Sequence, residues 1–172
     1  MLGPSLCRRI VLLILLAGIA FTTKAQEEKF KALFIYNFTK HVNWPPRPGN
    51  FVICIVGNSS VLEEIESIAL KKTVGSTPIE ITKANSAEEL PECHIVYISF
   101  NKSALLPQLL QRAKEKNILI ITEKSNSCTA GAGINFIAHD GKLVFEISKP
   151  NIENCGLKVS SELLKLGYTA SK

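Results

Sequence analysis

The sequence of residues 51–69 reads FVICIVGNSSVLEEIESIA, and this stretch decides the fold. Its first six residues are apolar and mostly β-branched, which is typical of a strand buried on both faces of a parallel sheet. Gly57 and Asn58 form a turn, and Ser59 or Ser60 can cap the helix that follows. Strand, turn and helix in this order predict the first half of a β-α-β unit.

The same alternation of apolar strands and amphipathic helices continues along the chain. A β-rich run at 93–99 and another at 118–122 flank a helix predicted over 104–116, and a shorter alternating strand lies at 79–82. Because continuous apolar strands alternate with helices, we predict a doubly wound α/β domain. It has a four-stranded parallel sheet with helices on both faces.

The pattern changes in the C-terminal part of the chain. Two alternating strands at 134–138 and 142–148 are joined by Asp140-Gly141, which is a strong signal for an antiparallel hairpin. A helix predicted over 157–166 closes the chain. We therefore expect a mostly parallel sheet that carries a C-terminal antiparallel hairpin.

A helix precedes the sheet in the predicted fold. Residues 29–45 read KFKALFIYNFTKHVNWP, and no Gly or Pro interrupts this run before Pro45. Its apolar stripe consists of Phe34, Phe38 and Val42, widened by Phe30, Leu33 and Ile35. The spacing predicts an amphipathic helix over 29–43 whose aromatic stripe is buried in the core.

The start of the chain has the composition of a secretory signal peptide. Two arginines precede an apolar run at 10–21, and Ala25 is a small residue that suits cleavage. The run is short for a membrane span, although an uncleaved N-terminal anchor is the alternative. We therefore expect residues 1–25 to be removed and residues 26–172 to form a single domain.

Removal of the signal peptide also changes the charge of the chain. It takes away Arg8, Arg9 and Lys24, so the formal net charge falls from +5 to +2. No stripe of basic residues with interleaved aromatic residues is present, which disfavours binding to nucleic acid. The sequence therefore predicts an exported protein whose partner is not a nucleic acid.

Four cysteines remain after cleavage, namely Cys54, Cys93, Cys128 and Cys155. An even number of cysteines in an oxidising compartment predicts two disulfides, and three pairings are possible. Zinc binding is the competing interpretation, but no two of these cysteines have the short spacing of a zinc site and the histidines are scattered. We therefore expect no metal and no other cofactor.

The sequence carries no recognisable catalytic constellation, such as a serine in a nucleophile elbow or a histidine paired with an acid. We therefore expect a binding protein and not an enzyme. A doubly wound sheet binds small ligands at the carboxyl ends of its strands. If this chain does so, the crevice is lined by Gly57, Asn58, Phe100, Asn101 and Glu123.

Four stretches of the chain carry a family resemblance. The first is Lys31-x-x-Phe-Ile-Tyr-Asn-Phe-x-Lys-x-Val-x-Trp-Pro45, and the second is Cys93-His-Ile-Val-Tyr-Ile98. The third comprises GINF and LVFEIS within 133–148, and the fourth is GLKVSSELLKL at 156–166. In this order the stretches resemble the YfiR/HmsC-like family over essentially the whole chain after the signal peptide. Ser148 departs from the family pattern, which often has Asn at this place.

The resemblance implies a periplasmic homodimer that holds a membrane-bound diguanylate cyclase in check by binding its periplasmic part. It also implies a disulfide between Cys54 and Cys93, because family members with four cysteines join these two places. The second family bridge is local. Cys128 fits one end of it, but Cys155 lies across the hairpin at the final helix, so the pairing of these two stays open. The first hypothesis is thus a redox-sensitive repressor, and the alternative is a periplasmic small-ligand-binding module.

We place the partner-binding surface at Glu146, Lys149 and Ile152, with Leu157 as a contributor. Strand alternation turns Glu146 away from the core on a late strand near the sheet edge, where partners dock. Ile152 follows Pro150 in a segment without helical periodicity, so its apolar side chain is available for an interface. The alternative is that Ile152 closes the end of the core and Glu146 is a solvated charge.

Overall fold

The computed structural model describes residues 25–170, so the predicted signal peptide lies almost entirely outside the described residues. The helices of this part are α1 (25–38), α2 (Val61–Ala69), α3 (Leu106–Lys116), α4 (Lys149–Asn154) and α5 (Ser161–Leu166). A 3₁₀ helix at Phe100–Leu105 leads into α3. The strands are β1 (Val42–Asn43), β2 (Phe51–Val56), β3 (Thr73–Val74), β4 (Thr77–Ala84), β5 (Ile95–Ile98), β6 (Leu119–Thr122), β7 (Ile134–His139), β8 (Lys142–Ile147), β9 (Lys158–Val159) and β10 (Tyr168–Thr169).

Strands β2 to β8 and β10 form one eight-stranded sheet in the order β10-β8-β7-β6-β5-β2-β4-β3. All neighbours from β4 to β7 run parallel, whereas the hairpin of β7 and β8 is antiparallel. This confirms the predicted α/β class with a mostly parallel sheet and a C-terminal antiparallel hairpin. The structure adds one short strand at each edge, because β3 pairs with β4 and β10 pairs with β8.

The strand order reverses direction at β2. Strand β4 lies on one side of β2, and β5, β6 and β7 follow on the other side. The carboxyl ends of β2 and β5 therefore border a crevice at the topological switch point, where doubly wound sheets place their ligands.

Helix α1 covers one face of the hairpin through an aromatic cluster. The ring centroid of Phe38 lies 5.0 Å from that of Phe145 and 6.1 Å from that of Phe136. Phe34 joins the same cluster and lies 5.6 Å from Phe145. The prediction that this stretch packs into the core is confirmed for Phe38, which is buried, and Phe34 is half-buried.

The prediction of the apolar stripe of α1 is wrong at two residues. Phe30 and Leu33 are exposed, whereas Lys31 is buried. The buried face of the helix is therefore rotated towards Lys31, Ala32 and Ile35 relative to the predicted stripe. Ion pairs of Lys31, described below, explain why a charged residue occupies this face.

The predicted ends of two helices are also wrong. Helix α1 ends at residue 38 instead of 43, because Val42 and Asn43 form β1, which pairs with Lys158–Val159 in β9. That pairing also removes the first turns of the predicted helix 157–166. Helix α5 begins only after Ser160, whose hydroxyl accepts a hydrogen bond from the Leu163 N–H at 3.2 Å.

His94 lies just before β5, where it makes hydrogen bonds and stacks against an aromatic ring. Its Nδ1 accepts a hydrogen bond from the Val52 N–H at 3.0 Å, and its carbonyl accepts one from Trp44 Nε1 at 2.9 Å. The Phe51 ring stacks on the imidazole with centroids 4.4 Å apart. Burial, and then the positive charge of Arg47, lower the pKa of His94 below its usual value.

We expect Phe38→Ala to destabilise the fold by about 3–5 kcal/mol, because it removes a buried ring from the cluster on the hairpin. Phe30→Ala is the matched control, since Phe30 lies on the same helix but is exposed. Denaturant melts followed by the fluorescence of Trp44 measure both changes. A loss below about 1 kcal/mol for Phe38→Ala would contradict a central role for α1.

We expect the fold to lose stability as the pH falls below about 6.5, the ordinary pKa of histidine. The pKa of His94 is lower in the folded state, so the unfolded chain binds more protons between the two values. This contribution is complete above the unfolded pKa and is lost on acidification. Melts of His94→Gln at several pH values should show a shallower pH dependence than melts of the parent, and an unchanged dependence would contradict the role of His94.

Candidate functional site

Glu146 lies on a late strand near the sheet edge, as expected, but it is less exposed than the sequence predicts. Its carboxylate Oε2 accepts a hydrogen bond from Asn135 Nδ2 at 3.1 Å, and the residue is half-buried. Asn135 in turn accepts a hydrogen bond from Thr122 Oγ1 at 2.8 Å, so a polar row crosses three strands. The two-residue strand β10 forms the edge here, because Tyr168 pairs opposite Glu146. The expectation of a fully exposed acid is therefore wrong.

Ile152 and Leu157 are buried, with only 1% and 2% of their surface exposed. Ser148 caps α4 by accepting a hydrogen bond from the Asn151 N–H. Within this helix, the side chain of Ile152 packs against Gly133. A Cβ at Gly133 would lie 2.9 Å from Leu119 Cδ1 and 3.0 Å from Ile152 Cγ1, so the packing here is tight. Ile152 thus closes the end of the core, as the alternative interpretation has it, and neither Ile152 nor Leu157 has an exposed side chain.

Lys149 is the exposed member of the predicted surface. It lies at the start of α4, its side chain is 54% exposed, and it pairs with Glu153 at 3.6 Å. Beside it lies a groove of about 460 Å³ with a mainly apolar lining, which we call the C-terminal groove. Its lining includes Cys128, Ile147, Lys149, Pro150, Leu164 and Ala170.

The three leucines of α5 have different environments. Leu163 is buried, Leu164 lines the C-terminal groove, and Leu166 is 68% exposed and does not line the groove. A short apolar run such as this one favours burial of all three residues when only the sequence is considered. Leu166 is therefore a position where that expectation is wrong.

The four predicted disulfide cysteines are buried free thiols in the structure. Cys54 lies within β2, and Cys93 precedes β5, outside the strand. Burial, and then the proximity of Cys54, raise the pKa of the Cys93 thiol. Neither pair is bonded here, so both pairings stay predictions.

Cys128 and Cys155 lie near the two ends of α4. Cys128 lines the C-terminal groove, and burial followed by the charge of Glu146 raises the pKa of its thiol to about 12. Cys155 ends α4, and its carbonyl accepts a hydrogen bond from Asn117 Nδ2 at 3.0 Å. Both thiols are protonated at neutral pH and are poor nucleophiles while the fold is intact.

A second region lies at the topological switch point. It is a cleft of about 660 Å³, which we call the switch-point cleft. Of the five residues predicted for a ligand crevice, Asn58, Phe100 and Glu123 line it. The other two lie beside it: Gly57, at φ +90°, packs closely against Asn101. The prediction thus locates the cleft but not its full lining.

The charged residues of the switch-point cleft are centred on Lys31. The Lys31 ammonium lies 2.8 Å from Glu123 Oε2, 3.0 Å from Glu27 Oε1 and 3.1 Å from Glu28 Oε1. Burial alone would lower the pKa of Lys31, but these carboxylates outweigh it and raise the pKa. Burial would likewise raise the pKa of Glu123, but the bond from Lys31 lowers it. Lys31 and Glu123 therefore carry opposite charges at neutral pH.

One buried polar atom of the cleft lining has no hydrogen-bond partner among the residues that the structure describes. It is Oε2 of Glu28. Tyr97 lies fully buried beside the cleft, where burial and the charge of Glu123 raise its pKa, and its hydroxyl interacts with Glu123. An unpaired buried polar group is costly, so Oε2 of Glu28 marks the cleft as a place for a further donor.

Comparison with known proteins assigns the chain to a protein family. The family model described as YfiR/HmsC-like matches residues 28–168, and no curated protein matches the chain. Within the described residues 25–170, no helix has the length and apolar character needed to cross a membrane. Because the match covers all five helices and all ten strands almost to their ends, the chain belongs to the YfiR/HmsC-like family, whose members are periplasmic regulators of diguanylate cyclase signalling.

Proposed function

We propose that this chain binds the periplasmic part of a membrane-bound diguanylate cyclase and represses it, and that the C-terminal groove is the contact surface. The observation that carries the proposal is the family match over residues 28–168. The groove supports the location, because its lining is mainly apolar and a charged residue, Lys149, stands at its rim. Interfaces combine an apolar centre with a polar rim in this way.

The residues predicted for the surface take different roles in this proposal. Lys149 contacts the partner, and Leu164 contributes to the apolar lining beside it. Glu146 is held on β8 by its bond from Asn135, and its carbonyl lies 3.8 Å from the thiol of Cys128, which lines the groove. Ile152 supports α4 from below. The binding protein acts by contact, and the proposal requires no catalytic group.

Redox sensitivity is the second part of the proposal. Cys128 lines the C-terminal groove and Cys155 ends the helix that carries Lys149. A disulfide between them would tie the groove wall to the far end of α4 and fix the shape of the surface. Reduction would release this constraint, so repression should depend on the redox state of the periplasm. The family resemblance also supports a homodimer as the active form.

We expect Lys149→Glu and Leu164→Glu each to weaken binding to the cyclase's periplasmic domain by about tenfold or more, because both residues line the proposed contact surface. Lys116→Glu is the matched control. Its side chain is 53% exposed and is likewise paired with a glutamate, Glu92, but it lies at the end of α3. Binding is measured by calorimetry after melts show that each variant is folded.

Parent-like binding and repression by both folded variants would place the partner surface elsewhere. The exposed side of α1 near Tyr36 and Lys40 is then the next candidate. A loss of binding in Lys116→Glu as well would point to a nonspecific effect of the added negative charge. These outcomes test where the partner binds, independently of whether the cyclase is the partner.

We expect the protein from the periplasm to contain a disulfide between Cys54 and Cys93. The enclosed loop of about forty residues corresponds to a stabilisation of roughly 4 kcal/mol, less any strain. Because the free thiols are buried, alkylation must be done in denaturant before the unreduced peptides are mapped. Finding Cys54 free or joined to Cys128 would refute the pairing. The same map tests whether Cys128 is joined to Cys155.

A further inference from the structure

The switch-point cleft has features of a small-molecule site that the partner hypothesis does not use. Its volume is about 660 Å³, within the range of pockets that hold small ligands. It opens at the carboxyl ends of the parallel strands, where this fold class binds ligands. The buried carboxylate of Glu28 has an oxygen without a hydrogen-bond partner, and the aromatic ring of Phe100 forms part of the cleft wall.

We propose that the switch-point cleft binds a small organic amine, with its ammonium group on Glu28 and its apolar body against Phe100. This site is separate from the C-terminal groove, so the inference does not depend on the proposed partner or on its location.

The charges of the cleft favour a cation over an anion. Its lining carries three carboxylates, those of Glu27, Glu28 and Glu123, against two ammonium groups, those of Lys31 and Lys142. The ammonium of Lys31 already lies within 3.1 Å of all three carboxylates. It therefore has no free donor for an anionic ligand. The lining of the cleft therefore keeps an excess of negative charge, which attracts a positively charged ligand group.

Glu28 is the residue best placed to receive that group. One carboxylate oxygen is fixed by Lys31 at 3.1 Å, and the other has no partner. The residue is 92% buried, with 8% of its surface exposed, so its charge is only weakly screened by solvent. The terminal torsion of a glutamate is soft, so Oε2 is free to rotate towards a donor that enters the cleft. An ammonium donor would then satisfy the unpaired oxygen.

Phe100 supplies the apolar wall. Its ring is 64% exposed, although its backbone is anchored by the N–H bond to Glu123 Oε1 at 2.9 Å. Core packing therefore does not explain this aromatic residue. An aromatic face beside carboxylates suits an organic cation, because the ring attracts positive charge and also covers an apolar body. The buried floor of the cleft is apolar as well, since Phe136 contributes to it.

The test uses benzylamine as the probe and benzyl alcohol as its uncharged isostere. Both are titrated into isotope-labelled protein purified from the periplasm after expression of the full chain, and amide shifts are followed by NMR. We expect benzylamine to shift the amides of Asn58, Ser60 and Phe100 with a Kd of about millimolar, as its size allows. Benzyl alcohol should bind at least about tenfold more weakly, because it cannot pair with Glu28.

Three variants complete the experiment. Glu28→Gln keeps the shape but removes the charge, so benzylamine should bind about tenfold more weakly, close to the alcohol. Glu92→Gln removes the charge of an exposed glutamate outside the cleft and should bind like the parent. Phe100→Ala changes an exposed ring, so it should fold normally and bind several-fold more weakly.

Several outcomes would overturn the inference. Equal binding of the amine and the alcohol would show that charge is not recognised. Parent-like affinity in Glu28→Gln and Phe100→Ala would show that the probe binds elsewhere, and a response that does not saturate by about 50 mM would show that no site exists. If Glu28→Gln is unfolded, the decision rests on Phe100→Ala and the comparison of the two probes.

Discussion

The packing of α1 on the β7–β8 hairpin is the contact on which the rest of the structure depends. Phe136 and Phe145 present aromatic rings on one face of the sheet, and the rings of Phe34 and Phe38 lie on them. The same helix carries Lys31 and Glu28 to the switch-point cleft. It also leads into β1, which pairs with β9 and so fixes the segment between α4 and α5. One packing interface thus positions both candidate sites.

The two candidate sites lie on different parts of this framework and use different chemistry. The C-terminal groove is a mainly apolar surface with the exposed Lys149 in its lining. The switch-point cleft is strongly charged and centred on a buried ammonium with three carboxylates. Such a cluster is costly to bury, and its persistence in a small domain is more easily understood for a ligand site than for stability alone.

The sequence predicts the central strands well because β2, β5 and β6 are continuous apolar runs, and such runs fit only a buried position in a sheet. It fails where a residue's environment is set by distant parts of the chain. Lys31 looks like a surface lysine locally, but its closest partner, Glu123, is 92 residues away. Helix α4 was missed because six residues are too short to show a periodicity, and without that helix the burial of Ile152 is not visible.

Strand β1 pairs with β9, and α1 packs on the β7–β8 hairpin. Both contacts join the beginning of the described chain to its C-terminal part. The hairpin and β9 lie far along the chain from α1. The aromatic face of α1 has no sheet to cover it until the hairpin is formed, and contacts of such long sequence separation form slowly. Closure of the core around α1 therefore waits for the C-terminal third of the chain.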